Sequence, residues 1–450
     1  MAVATLMWLR WQPLNIVHSM LSMIPSNATK VTAARVQACL KASGRLPAGV
    51  TVLSATAVPF GRDENGDSVG LLSEICRVEC TYSENAPADL PDHFVAKFAP
   101  AEFGARLFGR LAMFENENMF YDLGLGGRAG VGTAQCYFCH YSLVSGEIVL
   151  FLRELSDYDA RPQRVGWSAE EAKTALLTYA KLHAYYWRAN ETDVDVGVDL
   201  TRLMSSADRV TLGLYQWFVE KSAPKFAKTM EEHIFQNTRQ FSPECVTFIE
   251  DILTPNCNVV TDSGFFSLDR PLTVVHFDAR SENVYFPKNG KGGVTLIDFQ
   301  HTQFARCAHD LMYNSLWNVT AILTVELELE LMEHYFDALL AERPSLKGKF
   351  TLVQLGHDYV IQLIFTVYLI IVASLDALES WKKNKAVMSI FLSNMDRMLT
   401  RWNAVAVFQQ SCHRVHKDAA TGEVTMDPIT EEERLAVLPA FYKDFVAARA

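Results

Sequence analysis

The chain has 450 residues, 49% of them hydrophobic, with 41 basic and 52 acidic side chains and a formal charge of −11. That length and apolar content exclude a disordered protein and allow one large core. The acidic balance argues against nucleic acid as substrate or partner, because phosphate backbones demand basic surface.

Residues 1–62 contain no Asp or Glu, yet carry Arg10, Lys30, Arg35, Lys41, Arg45 and Arg62. Acid-poor leaders of this kind are typical of organelle transit peptides. Val31–Ser43 has helical periodicity, so folded protein is expected from Thr29, with residues 1–28 an extension or leader. A mitochondrial or plastid transit peptide, a membrane-surface anchor and a true start at Met20 or Met23 all stay open. Without a leader the expected location is cytoplasmic. Nine cysteines at irregular spacings read as reduced thiols of an intracellular protein rather than a disulfide framework.

Gly49–Val58 and Glu74–Tyr82 are strand candidates, and Phe94–Phe98 is a strand-like run interrupted by one cation, Lys97. A helical pattern follows from Ala101 to Leu123, with Leu107, Leu111 and Phe114 on its apolar stripe. Glu117, four after Met113 and three before Phe120, lies on or beside that buried face. An acid there needs a cationic partner, with Glu115 as the competing choice.

Cys136-Tyr137-Phe138-Cys139-His140 formally matches a haem-attachment motif, but in an alternating strand it reads as coincidence. Val149–Leu152 reads as a strand running into Arg153-Glu154-Leu155. Ser168-Ala-Glu-Glu171 is a capping box opening a helix to Arg188, with His183 a satisfied core histidine. Helical stretches at Leu212–Phe226 and Pro243–Leu253 carry no nucleotide motif. Tyr185, Tyr186, Trp187, Tyr215, Trp217 and Trp317 could stack on a ligand, although core packing is the simpler reading for any one of them.

The most informative stretch is Val274-Val275-His276-Phe277-Asp278, with Asn283 five positions after the Asp and Asp298 fifteen after the Asn. Either half alone would read as a capped turn. Set in apolar runs and joined by the Pro287–Gly293 hairpin, they suggest strands delivering polar side chains to one cleft. Phosphoryl transfer from ATP needs such a set. Asp278 accepts the hydroxyl proton of the acceptor, and Asn283 and Asp298 supply oxygen ligands to Mg²⁺.

Thr324–Glu342 is acidic and amphipathic (Leu329, Leu331, Tyr335, Leu339), an outer packed helix. Tyr359–Leu375 is the strongest transmembrane candidate, but 17 residues containing Gln362, Thr366 and Ser374 fit a buried core helix better. No transmembrane segment is therefore expected. Cys412-His413-Arg414-Val415-His416 reads as a solvated turn rather than a metal site, and Thr430-Glu-Glu-Glu433 as a helix start.

These stretches together resemble the kinase-like fold, and within it the aminoglycoside phosphotransferase and choline kinase-like group. Asp298-Phe299-Gln300 looks more like the ecdysteroid kinase-like branch than like the Asp-Phe-Gly of protein kinases. The resemblance runs from Thr29 to Trp402, strongest at 274–311. It implies an α+β, bilobal protein kinase-like fold. The small antiparallel-sheet N-lobe (29–155) has one main helix. The larger, mostly helical C-lobe (156–412) has a helical substrate-binding insertion (190–270), and 413–450 form a tail.

The resemblance also implies that Lys97 contacts the ATP phosphates and that Glu117 holds Lys97. Gly70 and Ser73 would bring backbone N–H groups to a phosphate, although a plain turn is an equal reading. The linker backbone at Glu154 and Leu155 would hold adenine, Arg280 would touch the transferred phosphate, and Asp310 would brace the catalytic loop. ATP and Mg²⁺ are the implied cofactors, and a small hydroxyl-bearing molecule the acceptor: choline-like amine, aminoglycoside, sterol or hydroxyacyl thioester. This chain departs from the group at Phe277, where Gly is usual, and lacks GxGxxG. Those departures motivate the alternative of a catalytically silent kinase-like binding protein.

Overall fold

A computed structural model describes residues 23–59, 73–100, 114–142, 146–188, 200, 203, 209–236, 241–262, 271–318, 324–374, 378–418, 420–421 and 423–449. The chain divides into two compact units. One takes the chain up to Arg128 together with Gly132–Asp159 and Thr295–Thr302; the other takes Ala129–Val131, Ala160–Val294 and the chain from Gln303 onward.

The first unit begins with α1 (Ala33–Ala42), capped by Thr32, whose hydroxyl accepts the Arg35 backbone N–H. The strands are β1 (Val52–Pro59), β2 (Glu74–Tyr82), β3 (His93–Phe98), β4 (Cys136–Tyr141) and β5 (Ile148–Leu152), in the order β1-β2-β3-β5-β4. Every pairing is antiparallel. Helix α2 (Phe114–Asp122) lies between β3 and β4 in the chain. Residues Leu107 and Leu111 of the expected longer helix lie outside the described residues, as does Gly70.

Strand alternation gives the sheet two distinct faces. Phe94, Ala96 and Phe98 bury with Val78, Phe151 and the Val36, Cys39 and Leu40 stripe of α1. Lys97 points the other way, in register with Leu150, toward a second cluster that includes Phe114 of α2. All five residues of β5 are buried because both faces are covered. Thr295–Leu296 pairs in parallel with Gly132–Thr133. Thr295–Thr302 groups with this unit.

The second unit contains β6 (Thr273–Val275), β7 (Val284–Pro287) and β8 (Gln303–Ala305), with β6 and β8 antiparallel. Its longer α-helices are α3 (Ala169–Tyr185), α4 (Arg209–His233), α5 (Ala308–Trp317), α6 (Val325–Glu342), α7 (Leu352–Ala373), α8 (Lys385–Arg401), α9 (Ala404–Arg414), α10 (Glu431–Val437) and α11 (Ala440–Ala447). Capping boxes open α3 at Ser168/Glu171, α7 at Thr351/Gln354 and α10 at Thr430/Glu433.

Helix α7 is long and apolar enough to cross a membrane, yet 83% of its apolar window is buried inside the protein. It packs against α4, α5, α8 and α9, the arrangement of a core helix. The tail docks on it. Gly356 leaves room for the Tyr442 ring of α11, which a Cβ would strike, and the Tyr442 hydroxyl donates to the Leu352 carbonyl at 2.6 Å.

Two local expectations change. The 412–416 segment is not a solvated turn: α9 runs to Arg414, then Val415–Lys417 pairs with Val424–Met426. Helix α6 is amphipathic, but one of its acids is internal. Glu328 is buried and accepts bonds from the Tyr359 hydroxyl (2.6 Å), Arg401 (2.8 Å) and Trp402 Nε1 (2.7 Å). Composition made that helix look solvated on its acidic side; only the partners show which acid turns inward.

Candidate active site

In the first unit, Lys97 sits between two acids. Its Nζ lies 2.7 Å from Glu117 Oε2 and 2.6 Å from Asp298 Oδ1. Lys97 and Glu117 are buried; Asp298 is partly open. Burial alone would lower the lysine's proton affinity, but Asp298 and then Glu117 hold it above the ordinary range. Glu117 is pushed up to about 7 by burial, against the pull of Lys97 and the Phe299 backbone N–H. One ammonium therefore serves two carboxyl groups.

Asp298 adopts the left-handed conformation, φ 65° and ψ 63°, a strained backbone for a non-glycine residue. Phe299, the next residue, stacks on Phe120 of α2 with ring centroids 3.5 Å apart. This contact ties the Asp298 turn to the helix that carries Glu117.

In the second unit, Asp278 leaves β6 on a short loop and is buried. Its carboxylate receives Asn283 Nδ2 at 3.1 Å and the Tyr313 hydroxyl at 3.2 Å, and Arg280 Nε lies 3.3 Å away. Asn283 Nδ2 also donates to the Asp278 carbonyl at 2.9 Å. With its amide nitrogen turned to Asp278, Asn283 presents its carbonyl oxygen elsewhere. Asn283 and Asp298 both offer hard oxygen donors, the type Mg²⁺ prefers.

The loop is pinned from beneath. Buried Asp310, in the first turn of α5, accepts the backbone N–H groups of His276 (2.8 Å) and Phe277 (2.9 Å). His183 Nε2 meets it at 3.1 Å, and His183 Nδ1 lies 2.7 Å from the Tyr335 hydroxyl. Burial would raise the Asp310 carboxyl, but the His183 bond and the nearby imidazoles outweigh it and hold the group below the ordinary carboxylate range. His183 is a core histidine with both ring nitrogens partnered, and it steadies the residue that steadies the loop. Asn318, just past α5, bonds the Ala279 carbonyl and the Ser281 N–H, both at 2.6 Å.

Phe277 has a physical account here. It sits at φ 70°, the left-handed region that favours glycine. Its ring stacks on His309 at 3.9 Å with an interplanar angle of 1°, and its carbonyl meets His309 Nε2 at 3.1 Å. Burial lowers the proton affinity of His309, against the hydrogen bonds to Gln362 and the Phe277 carbonyl. Packing thus holds a phenylalanine in a conformation that glycine would adopt without strain.

Ser73 is buried at the start of β2. The Glu154 side chain is engaged by Arg77 Nε at 2.9 Å and lies 3.6 Å from His93 Nε2. Leu155 packs toward the second sheet face beside Ile297, and its carbonyl accepts the Tyr158 N–H.

Among the aromatics weighed for the acceptor, Tyr186 and Trp187 are core, Tyr185 and Trp217 are exposed, and the Tyr215 side chain lies outside the described residues. Trp317 stacks on Phe391 at 3.8 Å and approaches Tyr313 at 5.8 Å. Sequence reading missed Tyr313, His309 and Asn318. The available signal was His309, Tyr313 and Trp317 at four-residue intervals along one helix.

The profile of the ecdysteroid kinase-like family matches residues 69–348, more than half of the chain. The chain belongs to the ecdysteroid kinase-like family. This ecdysteroid kinase-like protein thus has the kinase-like fold class expected from its sequence, α+β with an antiparallel sheet in one unit and mostly helices in the other.

Among solved structures it is similar to a choline kinase from Cryptosporidium parvum Iowa II (10% identity, 81% of this chain and 96% of that one, TM-score 0.41). It is also similar to a Plasmodium vivax ethanolamine kinase (11%, 79% and 84%, TM-score 0.40). A macrolide 2′-phosphotransferase from Brachybacterium faecium is a third (12%, 79% and 98%, TM-score 0.37). No curated protein matches the ecdysteroid kinase-like chain.

Proposed function

We propose that this protein is an ATP-dependent small-molecule kinase that transfers the γ-phosphoryl group to an alcohol of a small metabolite. The observation that carries the reading is Asp278, a buried carboxylate oriented by Asn283 and Tyr313 on a loop pinned by Asp310. A general base must be held in one geometry to accept a hydroxyl proton, and this loop leaves Asp278 little freedom.

In this reading Asp278 orients the acceptor hydroxyl and takes its proton, while Arg280 offers positive charge to the transferred group. Lys97, fixed by Glu117, binds the phosphates of the nucleotide. Asn283 and Asp298 would hold Mg²⁺, which supplies charge neutralisation for the phosphoryl group in flight. The backbone at Glu154 and Leu155 would hold adenine, and Ser73 would lie near the phosphate-covering turn.

The test is ATP consumption by the purified protein across a panel of hydroxylated amines, aminoglycosides, sterols and hydroxyacyl thioesters. Turnover with at least one acceptor, abolished in Asp298→Asn, is the expected result. Undiminished turnover in Asp298→Asn would overturn the metal assignment. A protein that Mg·ATP at millimolar concentration fails to stabilise in a thermal-shift titration would instead be a silent member of the fold.

A further inference from the structure

The Cys136-Tyr137-Phe138-Cys139 stretch is not used by the proposed phosphoryl transfer. In a regular strand, residues three apart face opposite sides. Here the register slips: Cys136 opposes Leu152, Phe138 opposes Phe151 and Cys139 opposes Leu150. The β-bulge absorbs one residue. As a result Tyr137 and Phe138 both pack with the cluster on the α1 side. Cys136 and Cys139 both turn to the other face, beside Leu150, Leu152 and Phe114. Opposing partners two residues apart put the cysteine Cα atoms about 6.6 Å from each other, two strand steps of ~3.3 Å. That is near the upper end of the range a disulfide can bridge.

We propose that Cys136 and Cys139 are a redox-reactive dithiol, a modification site that closes reversibly to a disulfide when a small-molecule disulfide such as oxidised glutathione is present. The two thiols are hydrogen-bonded, which lowers Cys139 against burial and the Asp122 carboxylate, and raises Cys136. Both are half-buried rather than sealed, unlike Cys39, Cys76, Cys80, Cys245, Cys257 and Cys307. Cys139 Sγ also approaches Asp122 Oδ1 at 4.0 Å, at the end of α2.

The chemistry balances in two exchanges. Cys139 loses its proton to solvent and its thiolate attacks one sulfur of the oxidant, forming a mixed disulfide and expelling one thiolate. Cys136, deprotonated in turn, attacks Cys139 Sγ and expels the second. Two protein thiols are oxidised and one small disulfide is reduced to two thiols. A bridge spanning near the upper limit is strained, and so readily reduced again.

The test uses the full chain and needs no phosphate acceptor. Cys412 is the internal control, the other half-buried thiol, pushed up to about 11 by burial. Limiting iodoacetamide followed by peptide mapping should label Cys139 faster than Cys412, since nucleophilicity offsets only about half of the thiolate advantage. Incubation with millimolar oxidised glutathione should give a Cys136–Cys139 bridge. In Cys136→Ser the product should stop as a glutathione adduct on Cys139. Equal or slower labelling at Cys139 would overturn the inference, as would two free thiols after glutathione or a lasting glutathione adduct in the unsubstituted protein. Circular dichroism of the variant, unchanged on expectation, separates lost reactivity from lost fold.

Discussion

Lys97 Nζ and Asp298 Oδ1 lie 2.6 Å apart although 201 positions separate them in the chain. The same ammonium holds Glu117 at 2.7 Å. Two acids on one buried cation is an unstable charge balance, and its consequences are measurable.

Glu117 makes stability pH-dependent. Its folded value is raised from 4.5 to about 7, so the folded state binds a proton more tightly than the unfolded chain. The stabilising contribution is full below about 4.5 and is lost as pH rises through about 7. Urea midpoints should therefore fall between pH 5 and 8 (roughly the span of this titration), and Glu117→Gln should flatten that slope. A slope unchanged in the variant would remove Glu117 as its source.

Asp278→Ala should slow phosphoryl transfer by roughly 10²–10⁴-fold, the range for a lost general base, with nucleotide affinity little changed. Tyr313→Phe removes only the bond to Asp278 Oδ1 and should lower kcat less than Asp278→Ala does. Steady-state kinetics on the acceptor found by screening, beside nucleotide titrations, checks both. Parallel loss of nucleotide binding in Asp278→Ala would point to a structural role.

At position 277 glycine should be tolerated better than alanine. Both substitutions delete the ring stacked on His309, but only glycine escapes the left-handed backbone cost at φ 70°. That cost is about 1–2 kcal/mol, so Phe277→Gly should unfold at a higher denaturant concentration than Phe277→Ala. The reverse order would show that the backbone relaxes when the ring is gone.

Asp310→Asn should cost about 2–4 kcal/mol. The amide puts an N–H where an oxygen accepts the His276 or Phe277 backbone N–H. The folded Asp310 carboxyl lies below its ordinary value of 3.8. Its contribution is thus present above about 3.8 and lost only as pH falls through the lower folded value. The deficit of the variant should accordingly be constant from neutral to mildly alkaline pH in chemical denaturation. Wild-type stability would refute the bracing role.

How much of this was readable in advance depended on the range of the interaction. The apolar run around Lys97, the Ser168 capping box and the spacing of Asp278, Asn283 and Asp298 are local patterns, and local patterns survive in a linear sequence. The bulge at Cys136, the inward turn of Glu328 and the left-handed backbone at Phe277 were not readable, because each depends on partners distant in the chain.

Alternation and helical periodicity, being properties of neighbouring residues, were enough to mark the strands and the main helices. Whether Lys97 would meet Glu117 and Asp298, whether His183 and Asp310 would clamp the Asp278 loop, and whether α7 would be buried depended on long-range packing. Burial and hydrogen-bond satisfaction are set by which distant surfaces meet, and only the folded chain brings those surfaces together.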